Sequence, residues 1–307
     1  MTPSVSLRLL RYFRAAAESG STTIAARHLN VSQPAISVAI RDLESIFKEA
    51  LFARGVGTVM TLTRFGERKL AEARELLTAA SAFEADDAGD GTEGEVQIGV
   101  FSTISPVYLP TILRVAQSRF PNLKIRFMEG DLEQIEVWLR ASRIEMALTY
   151  EVSLPSDIER ECLAELRPYG LVPTSFNLAK SRKRISIRDL AREPFILIDL
   201  PHSRDFLMTP FWQFGCVPDV RYRATSIELV RAMVANELGV SLLITQAPAN
   251  ALTSGTIELP IREATIRQPL VIARRVNAVR TRASELLAEC IREAVKESNR
   301  FRIIKSL

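Results

Sequence analysis

The chain has few of the residues that mark catalytic, metal-binding or disulfide-bonded proteins. Among 307 residues there are two histidines and three cysteines. The cysteines, Cys162, Cys216 and Cys290, are far apart and form no CxxC pair, which predicts neither a disulfide framework nor a metal site and fits a reducing cytoplasm. Because no Asp, Glu, His or Cys cluster has the spacing of a reactive site, we predict no catalytic residue, no metal and no cofactor.

Long hydrophobic runs are also absent from the sequence. No stretch approaches the roughly 20 apolar residues that a membrane-spanning helix needs, and the first residues lack the apolar core of an export signal. The composition, 47% hydrophobic and 25% charged, is typical of a globular protein. We therefore expect a cytoplasmic protein without a membrane partner, and the length predicts two or three domains.

Positive charge is concentrated near the amino terminus. The first 66 residues contain eight basic and four acidic side chains. Their excess of four equals the net charge of +4 for the whole chain, so the remainder is near balance. A basic head on a neutral body predicts a polyanion partner for the head alone.

Residues 22–41 have the pattern of two helices joined by a tight turn. Ala25 and Ala26 are small enough for close helix packing, and Asn30 tolerates the left-handed backbone of a sharp turn. Ser32 is placed to cap the second helix, with Pro34 in its first turn. One face of that helix is apolar, at Ile36, Ile40, Leu43 and Phe47. The opposite face carries polar side chains that can read base edges or hold phosphates, namely Gln33, Ser37 and Arg41.

The segment that follows alternates apolar and polar residues around Gly55 and Gly57, which predicts a small β-hairpin, or wing. An earlier helix face is predicted at Leu7, Leu10, Phe13 and Ala17. An ordinary helical hairpin in a globular core would share part of this pattern.

Four fragments in order resemble the winged helix-turn-helix of LysR-type transcriptional regulators. They are AARHLNVSQPAIS (25–37), LE (43–44), LFAR (51–54) and LTRFGE (62–67). The sequence departs from the family at Val38 and Ala39, where Arg or Gln is frequent. It departs again at Arg64 and Phe65, which replace small residues. The first departure weakens inferences about which bases are read, and the second concerns packing.

The resemblance implies a regulator that binds promoter or operator DNA as a homo-oligomer, usually a dimer of dimers, and works with RNA polymerase. Gln33 and Ser37 are expected to read bases, and residues of the wing to contact the DNA backbone. The predicted DNA-binding residues are Thr22, Thr23, Ser32, Gln33, Pro34, Ser37, Arg41, Arg54, Thr61, Thr63 and Arg64.

The predicted domains follow from changes in composition. After the head, residues 1–66, an alanine- and leucine-rich helix spans 67–86 and resembles the linker helix that pairs with a partner's copy. Residues 87–94, rich in Gly and acids, predict a hinge. Residues 95–307 alternate strands and helices, which predicts a parallel sheet with right-handed crossovers in each of two α/β lobes, about 95–165 plus 268–307 and 166–267. Crossing segments are expected near 150–172 and 260–275.

This carboxyl-terminal part resembles a periplasmic-binding-protein-like effector domain. The phrases SRFPNLKIRFMEG (118–130) and MVANELGVSLL (233–243) carry the likeness. The fold class is therefore multidomain: an all-α winged helix-turn-helix, a long linker helix and a two-lobed α/β effector domain.

A small-molecule effector is expected between the lobes, beyond the carboxyl ends of the strands. Hydroxyls and free backbone N–H groups at helix starts, with an arginine nearby, suit a carboxylate or similar anion. The predicted effector-binding residues are Ser102, Thr103, Glu151, His202, Ser203, Arg204, Thr225, Ser226 and Gln246. Several have ordinary alternatives: the hydroxyls as plain helix caps, Arg204 paired with Asp205, and His202 as a structural residue.

Two other functions remain open from the sequence. One is a DNA-binding regulator without a small-molecule effector, controlled by oxidation of Cys216 or by a protein partner. The other is an enzyme or solute-binding protein with an incidental helical head, for which neither a reactive cluster nor an export signal is visible.

Overall fold

A computed structural model describes residues 4–53, 60–85, 93–180, 183–247, 255–263 and 266–305. The described helices are α1 (Leu7–Ser19), α2 (Thr22–His28), α3 (Gln33–Phe47), α4 (Arg64–Ala85), α5 (Ser105–Arg119), α6 (Leu132–Arg140), α7 (Asn177–Lys180), α8 (Ile187–Ala191), α9 (Ser203–Gln213), α10 (Ile227–Ala235) and α11 (Arg282–Lys305). The described strands are β1 (Gly94–Phe101), β2 (Leu123–Gly130), β3 (Met146–Tyr150), β4 (Ile158–Leu166), β5 (Tyr169–Pro173), β6 (Pro194–Ile198), β7 (Asp219–Ala224), β8 (Ser241–Leu243), β9 (Thr256–Pro260) and β10 (Gln268–Arg275).

Helices α1 to α3 form the head. Local side-chain and backbone features determine where each of these helices begins and ends. The Ser6 side chain caps α1 by accepting a hydrogen bond from the Leu9 N–H, and Gly20, at φ 63°, ends it. Asn30 adopts φ 52° in the turn before α3, as predicted. Ser32 is the N-cap residue of α3, but its side chain makes no capping hydrogen bond, so the predicted cap is wrong in that respect.

The head has its own apolar core. Phe13, Ala25, Ile36 and Leu43 are buried in it, and the small Ala25 allows α2 to lie close to its neighbours. Leu7 was expected on this face but is 44% exposed. Among the described residues, the cluster contains side chains of the head and α4 and none from the lobes.

Two motif residues hold α3 to the segment after it. One Glu44 carboxylate oxygen accepts hydrogen bonds from the Leu51 N–H at 2.8 Å and the Phe52 N–H at 3.3 Å. A Cβ atom on Gly66 would lie 2.0 Å from the Leu51 carbonyl oxygen, so only glycine permits this approach. Phe52 and Leu62 form an antiparallel bridge at the base of the predicted wing, whose central residues, 54–59, lie outside the described residues.

Helix α4 begins at Arg64, three residues earlier than the predicted linker helix. Leu70, Ala73 and Leu77 are buried against the head. The predicted hinge lies mostly outside the described residues, since the description resumes at residue 93.

The first lobe is a mixed five-stranded sheet in the order β2-β1-β3-β10-β4. Strand β1 pairs in parallel with β2 and β3, whereas β10 is antiparallel to both β3 and β4. The parallel sheet expected from the sequence is therefore only partly correct. Two segments were expected to cross between the lobes, 150–172 and 260–275. They also contain strands β4, β5 and β10, because the chain adds strands to the sheets where it passes between the lobes.

The second lobe contains a three-stranded sheet, β8-β5-β9, and a pair, β6-β7. Strands β6 and β7 are parallel, and a parallel bridge joins Phe195 to Val240 just before β8. Strand β9, which the sequence did not predict, is antiparallel to β5. The carboxyl ends of β1, β3, β6 and β8 all contribute residues to one pocket.

None of the helices within the described residues is long and apolar enough to cross a membrane.

Candidate functional site

The exposed end of α3 carries a linked group of polar side chains. The Gln33 side-chain amide donates hydrogen bonds from Nε2 to Thr22 Oγ1, at 3.0 Å, and to Ser37 Oγ, at 2.8 Å. These contacts hold the carboxamide in place on the surface of the free protein. We call Thr22, Gln33, Ser37 and Arg41 the α3 surface. Gln33 and Arg41 are exposed, and Thr22 and Ser37 are half-buried.

Five other predicted DNA-binding residues of the head are also open to solvent. Thr23, Ser32, Pro34, Thr61 and Arg64 are exposed. Of the two family departures on α3, Ala39 is buried and Val38 is 44% exposed. Only Val38 therefore changes the chemistry that α3 offers to a partner.

Thr63 has a structural role that the sequence did not indicate. Its hydroxyl donates to the Ala50 carbonyl oxygen at 2.7 Å and accepts from the Gly66 N–H at 2.9 Å. A phosphate contact would have to displace these bonds at the start of α4. Arg54 lies outside the described residues.

The second candidate site is a narrow pocket between the lobes, with about 360 Å³ of space that includes part open to solvent. Its lining residues are Phe101, Thr103, Tyr150, Val152 and Gln268 from the first lobe and Ile198, Ser203, Phe206, Leu207, Ile227, Leu243, Ile244 and Thr245 from the second. The described lining is mostly apolar and includes no charged side chain.

Three buried polar atoms of the lining have no hydrogen-bond partner among the described residues. They are Thr103 Oγ1, Ser203 Oγ and Gln268 Oε1. Their residues are 7%, 8% and 0% exposed. Buried polar groups are nearly always paired, so such atoms at a pocket wall indicate a site for a polar molecule or group.

The wall of the pocket is fixed by a polar network around Thr245. The Tyr150 hydroxyl and the Thr245 hydroxyl are hydrogen-bonded to each other. The Thr245 carbonyl oxygen accepts from the Tyr169 hydroxyl at 3.0 Å and from Arg231 Nη2 at 2.5 Å. Burial, and after it the Glu258 carboxylate, raises the pKa of Tyr169, so this phenol remains a neutral donor.

Of the nine predicted effector-binding residues, Thr103 and Ser203 line the pocket, and the structure places the other seven outside its lining. Glu151 lies 3.3 Å from Arg160 in an ion pair. Ser226 caps α10 by accepting from the Leu229 N–H.

Arg204 and three further predicted residues, His202, Thr225 and Gln246, also lie outside the lining of the pocket. Arg204 is paired with Asp205, at 3.1 Å, and with Asp199, at 3.4 Å, which confirms the ordinary alternative for this residue. His202 and Thr225 are exposed, Gln246 is half-buried, and His202 adopts φ 61°.

Some of the expected free N–H groups at the helix starts are in use. Ser102 N–H donates to the Gly130 carbonyl, and Ile104 N–H to the Phe101 carbonyl. At the second helix, Ser203 N–H donates to the Pro201 carbonyl and Arg204 N–H to the Leu200 carbonyl. These four donors are therefore not available to an anion, whereas the Thr103 and Ser105 N–H groups are not among the paired donors of the described residues.

Gln268, Tyr150 and Thr245 were not among the predicted effector-binding residues. Tyr150 and Thr245 lie at predicted strand ends, where the sequence pointed instead to the next residues, Glu151 and Gln246. Tyr150 and Thr245 are 95 residues apart, and they meet only when β3 and β8 end at the same pocket. The position of Gln268 at the start of β10 becomes visible only once the antiparallel pairing of β10 is known.

Helix α4 connects the head to the first lobe. Arg74 Nη1 donates to the Ala141 carbonyl at 2.9 Å, and its Nε donates to Glu18 of α1 at 3.1 Å. Glu75 accepts from the Ser142 hydroxyl at 3.0 Å and forms an ion pair with Arg275 at 2.7 Å. We call these the α4 contacts.

The cysteines are single thiols in different environments. Burial raises the pKa values of Cys216 and Cys290, the direction opposite to that of an activated thiol. Cys162 is exposed on β4.

A polar surface on a basic head, joined by a long helix to a two-lobed α/β body, is typical of DNA-binding regulators as a class. Comparison with known families is more specific. Residues 7–67 match the bacterial regulatory helix-turn-helix protein, lysR family, and residues 89–296 match the LysR substrate binding domain. The chain belongs to the LysR family of transcriptional regulators.

Individual relatives span nearly the whole chain. The hydrogen peroxide-inducible genes activator of Dickeya chrysanthemi is 28% identical, over 94% of this chain and 95% of the relative. HinK, a LysR family transcriptional regulator from Pseudomonas aeruginosa with a crystal structure, is 33% identical in sequence to this chain. The two structures match with a TM-score of 0.62 over 95% of this chain and 99% of HinK. Full-length CbnR in complex with its target DNA shares the fold, at 22% identity and a TM-score of 0.56, over 95% of this chain and 100% of that one.

Proposed function

We propose that this LysR-family regulator binds operator DNA by inserting the amino-terminal end of α3 into the major groove, under the control of a small molecule in the inter-lobe pocket. The observation that supports DNA reading most directly is the α3 surface. A glutamine amide can pair with the N6 and N7 edge of adenine, and the contacts with Thr22 and Ser37 hold the amide ready at the surface.

The remaining exposed residues of the head would hold the DNA backbone. Arg41, Thr23 and Arg64 are candidates for phosphate contacts, as is Arg54. Such contacts set the register of a protein on DNA and make affinity depend on salt.

We propose that α4 pairs with α4 of a second copy. Leu76 and Phe83 are seven residues apart, on one face of the helix, and are 54% and 79% exposed. Apolar side chains repeated at this spacing form a helix–helix seam. Two heads held in this way would reach major grooves about 34–36 Å apart. We propose in addition that two such dimers associate and that the assembly contacts RNA polymerase.

The α4 contacts provide a route from pocket to head. A ligand that prefers one arrangement of the lobes would alter the surface formed by Ala141, Ser142 and Arg275, on which α4 rests. The ligand can shift DNA binding only by its difference in affinity between two arrangements.

The test begins with selection of binding sites from genomic DNA fragments, followed by fluorescence anisotropy at several salt concentrations. Gln33→Ala should lower specific affinity roughly 5- to 100-fold while leaving nonspecific binding nearly unchanged. Arg41→Ala should weaken both and reduce the salt dependence. Gln213→Ala and Arg221→Ala, at exposed positions in the body, are the matched controls. If both head variants bound like the wild type, the proposed reading surface would be wrong.

A redox-controlled regulator is the second candidate, because the Dickeya chrysanthemi relative is named as an activator of hydrogen peroxide-inducible genes. DNA footprints recorded with and without hydrogen peroxide separate the two. The raised pKa values of Cys216 and Cys290 favour unchanged footprints. A shift abolished by Cys216→Ser would instead establish redox control.

A further inference from the structure

We propose that the inter-lobe pocket binds a neutral, mainly apolar molecule carrying at least one hydrogen-bond donor, rather than a carboxylate. This inference rests on the proposed function, since it takes the pocket as the effector site. It goes further by assigning the chemical class of the ligand.

The first argument is the absence of charge in the lining of the pocket, as far as the structure describes it. An ionised carboxylate that enters such a wall loses its hydration and gains no cationic partner, which is costly. Arg204, the predicted partner, is committed to Asp199 and Asp205 outside the lining. Arg231 lies behind the wall, where Nη2 donates to the Thr245 carbonyl.

The second argument concerns the two helix starts, the usual alternative to a cation for holding an anion. At the start of α5, the N–H groups of Ser102 and Ile104 are bonded to carbonyl oxygens of the protein. At α9, those of Ser203 and Arg204 are bonded in the same way. These four backbone donors are therefore already occupied, and the lining residues Thr103 and Ser203 bring hydroxyl groups to the pocket.

The third argument is the chemistry of the unpaired atoms. Gln268 Nε2 donates to the Pro269 carbonyl at 3.3 Å, so the atom without a partner is Oε1, which can only accept. A ligand must therefore supply a donor, which a carboxylate lacks. The hydroxyls of Thr103 and Ser203 can donate or accept. A carboxamide, a neutral alcohol or a similar group satisfies all three atoms, and an apolar remainder suits Phe101, Ile198 and Leu207.

The experiment compares two pairs of small probes of nearly equal shape, benzamide with benzoate and isobutyramide with isobutyrate. Because the pocket is narrow, small probes limit the lobe movement that binding requires. Dissociation constants are measured on the full chain by ligand-observed NMR titration. Each amide should bind more tightly than its carboxylate by on the order of tenfold or more.

Variants assign that binding to the pocket. Thr103→Val, Ser203→Ala and Gln268→Met should each weaken the amides roughly 3- to 10-fold. Thr225→Val and Gln246→Met, which make similar changes outside the lining, should have no effect. Circular dichroism of each variant confirms that the fold is retained.

Tighter binding of either carboxylate, or amide binding that the three pocket variants leave unchanged, would overturn the inference. So would the absence of amide binding at the highest soluble concentration, because a site filled only by water would then explain the unpaired atoms. The operator-binding assay with Gln33→Ala reports on DNA reading independently, so that failure of the ligand class and failure of the proposed function are distinguishable.

Discussion

The α3 surface and the inter-lobe pocket place polar side chains in opposite physical settings. On α3, Gln33 is exposed and Ser37, one helical turn away, is half-buried. In the pocket, Thr103, Ser203 and Gln268 are buried and distant in sequence, and each has one polar atom without a partner among the described residues. Surface side chains can therefore change their partner at little cost to the fold, whereas the pocket atoms have no partner among the described residues and must be paired by a molecule that enters. The comparison indicates that the head is ready to bind and that the pocket gains stability on binding.

The strongest way to break this comparison is to disturb the scaffold of the head alone. A Cβ at Gly66 would lie 2.0 Å from the Leu51 carbonyl oxygen, so Gly66→Ala should destabilise the head by about 3 kcal/mol. Chemical denaturation followed by hydrogen exchange should show earlier opening of residues 7–47 than of the lobes. Glu67→Ala, at the exposed neighbouring position, is the control. Equal loss of protection in both regions would show that head and body unfold as one unit.

The next largest effect is expected on assembly. Leu76→Glu places a charge in the proposed α4 seam and should weaken the dimer by about 2 kcal/mol, roughly 30-fold in dissociation constant. Analytical ultracentrifugation measures this change. Val217→Glu introduces the same charge at a site that is 81% exposed and should leave assembly unchanged. A Leu76→Glu protein with wild-type assembly would rule out the seam.

The α4 contacts join the head to the first lobe, so a change in them tests how the two regions are connected. Glu75→Ala removes the contacts with Ser142 and Arg275. It should accelerate amide exchange at residues 140–143 by about 3- to 10-fold, with little change in global stability. Glu72 lies one turn away and pairs with Lys69 of the same helix, so Glu72→Ala is the control. Unchanged exchange in the Glu75 variant would mean that α4 rests on the lobe by other contacts.

The smallest effect is expected from a buried acid of the first lobe. Burial raises the pKa of Glu145, although its hydrogen bonds with Thr281 and the Gln97 N–H act the other way. The pKa of Glu145 is higher in the folded protein than in the unfolded chain. The contribution of its protonated form to the stability of the fold is therefore fully present below the unfolded pKa. It is lost as pH rises through the folded pKa. Glu145→Gln should therefore stabilise the protein slightly at neutral pH, by less than about 1 kcal/mol, and not near pH 4.

Thermal unfolding across this pH range measures the difference, with Glu133→Gln at an exposed position as control. A variant less stable than the wild type at neutral pH would mean that the hydrogen bonds outweigh the cost of burying the charge.

The sequence predicted the head well because its determinants are local. The left-handed Asn30 and the polar spacing of Gln33, Ser37 and Arg41 follow from one helix and one turn. Even in the head, the contacts between residues that are distant in the sequence could not be predicted. The Glu44 carboxylate holds Leu51 and Phe52, and the Thr63 hydroxyl bridges Ala50 and Gly66.

The pocket was predicted in position but not in chemistry. The rule that ligands lie beyond strand ends placed Thr103 and Ser203 correctly in the lining. The rule that helix starts offer free donors failed for Ser102 and Ser203, because their N–H groups already donate to backbone carbonyl oxygens. Gln268 could not be predicted, since its approach to the pocket depends on β10 crossing back between the lobes.

The central claim, that α3 of the head reads DNA while the body does not touch the bases, is tested most directly by hydrogen-exchange mass spectrometry of the full chain with and without selected operator DNA. The account predicts strong protection at residues 33–41 and none at residues 203–213 of the second lobe. Protection confined to the body, with residues 33–41 exchanging as in the free protein, would contradict it.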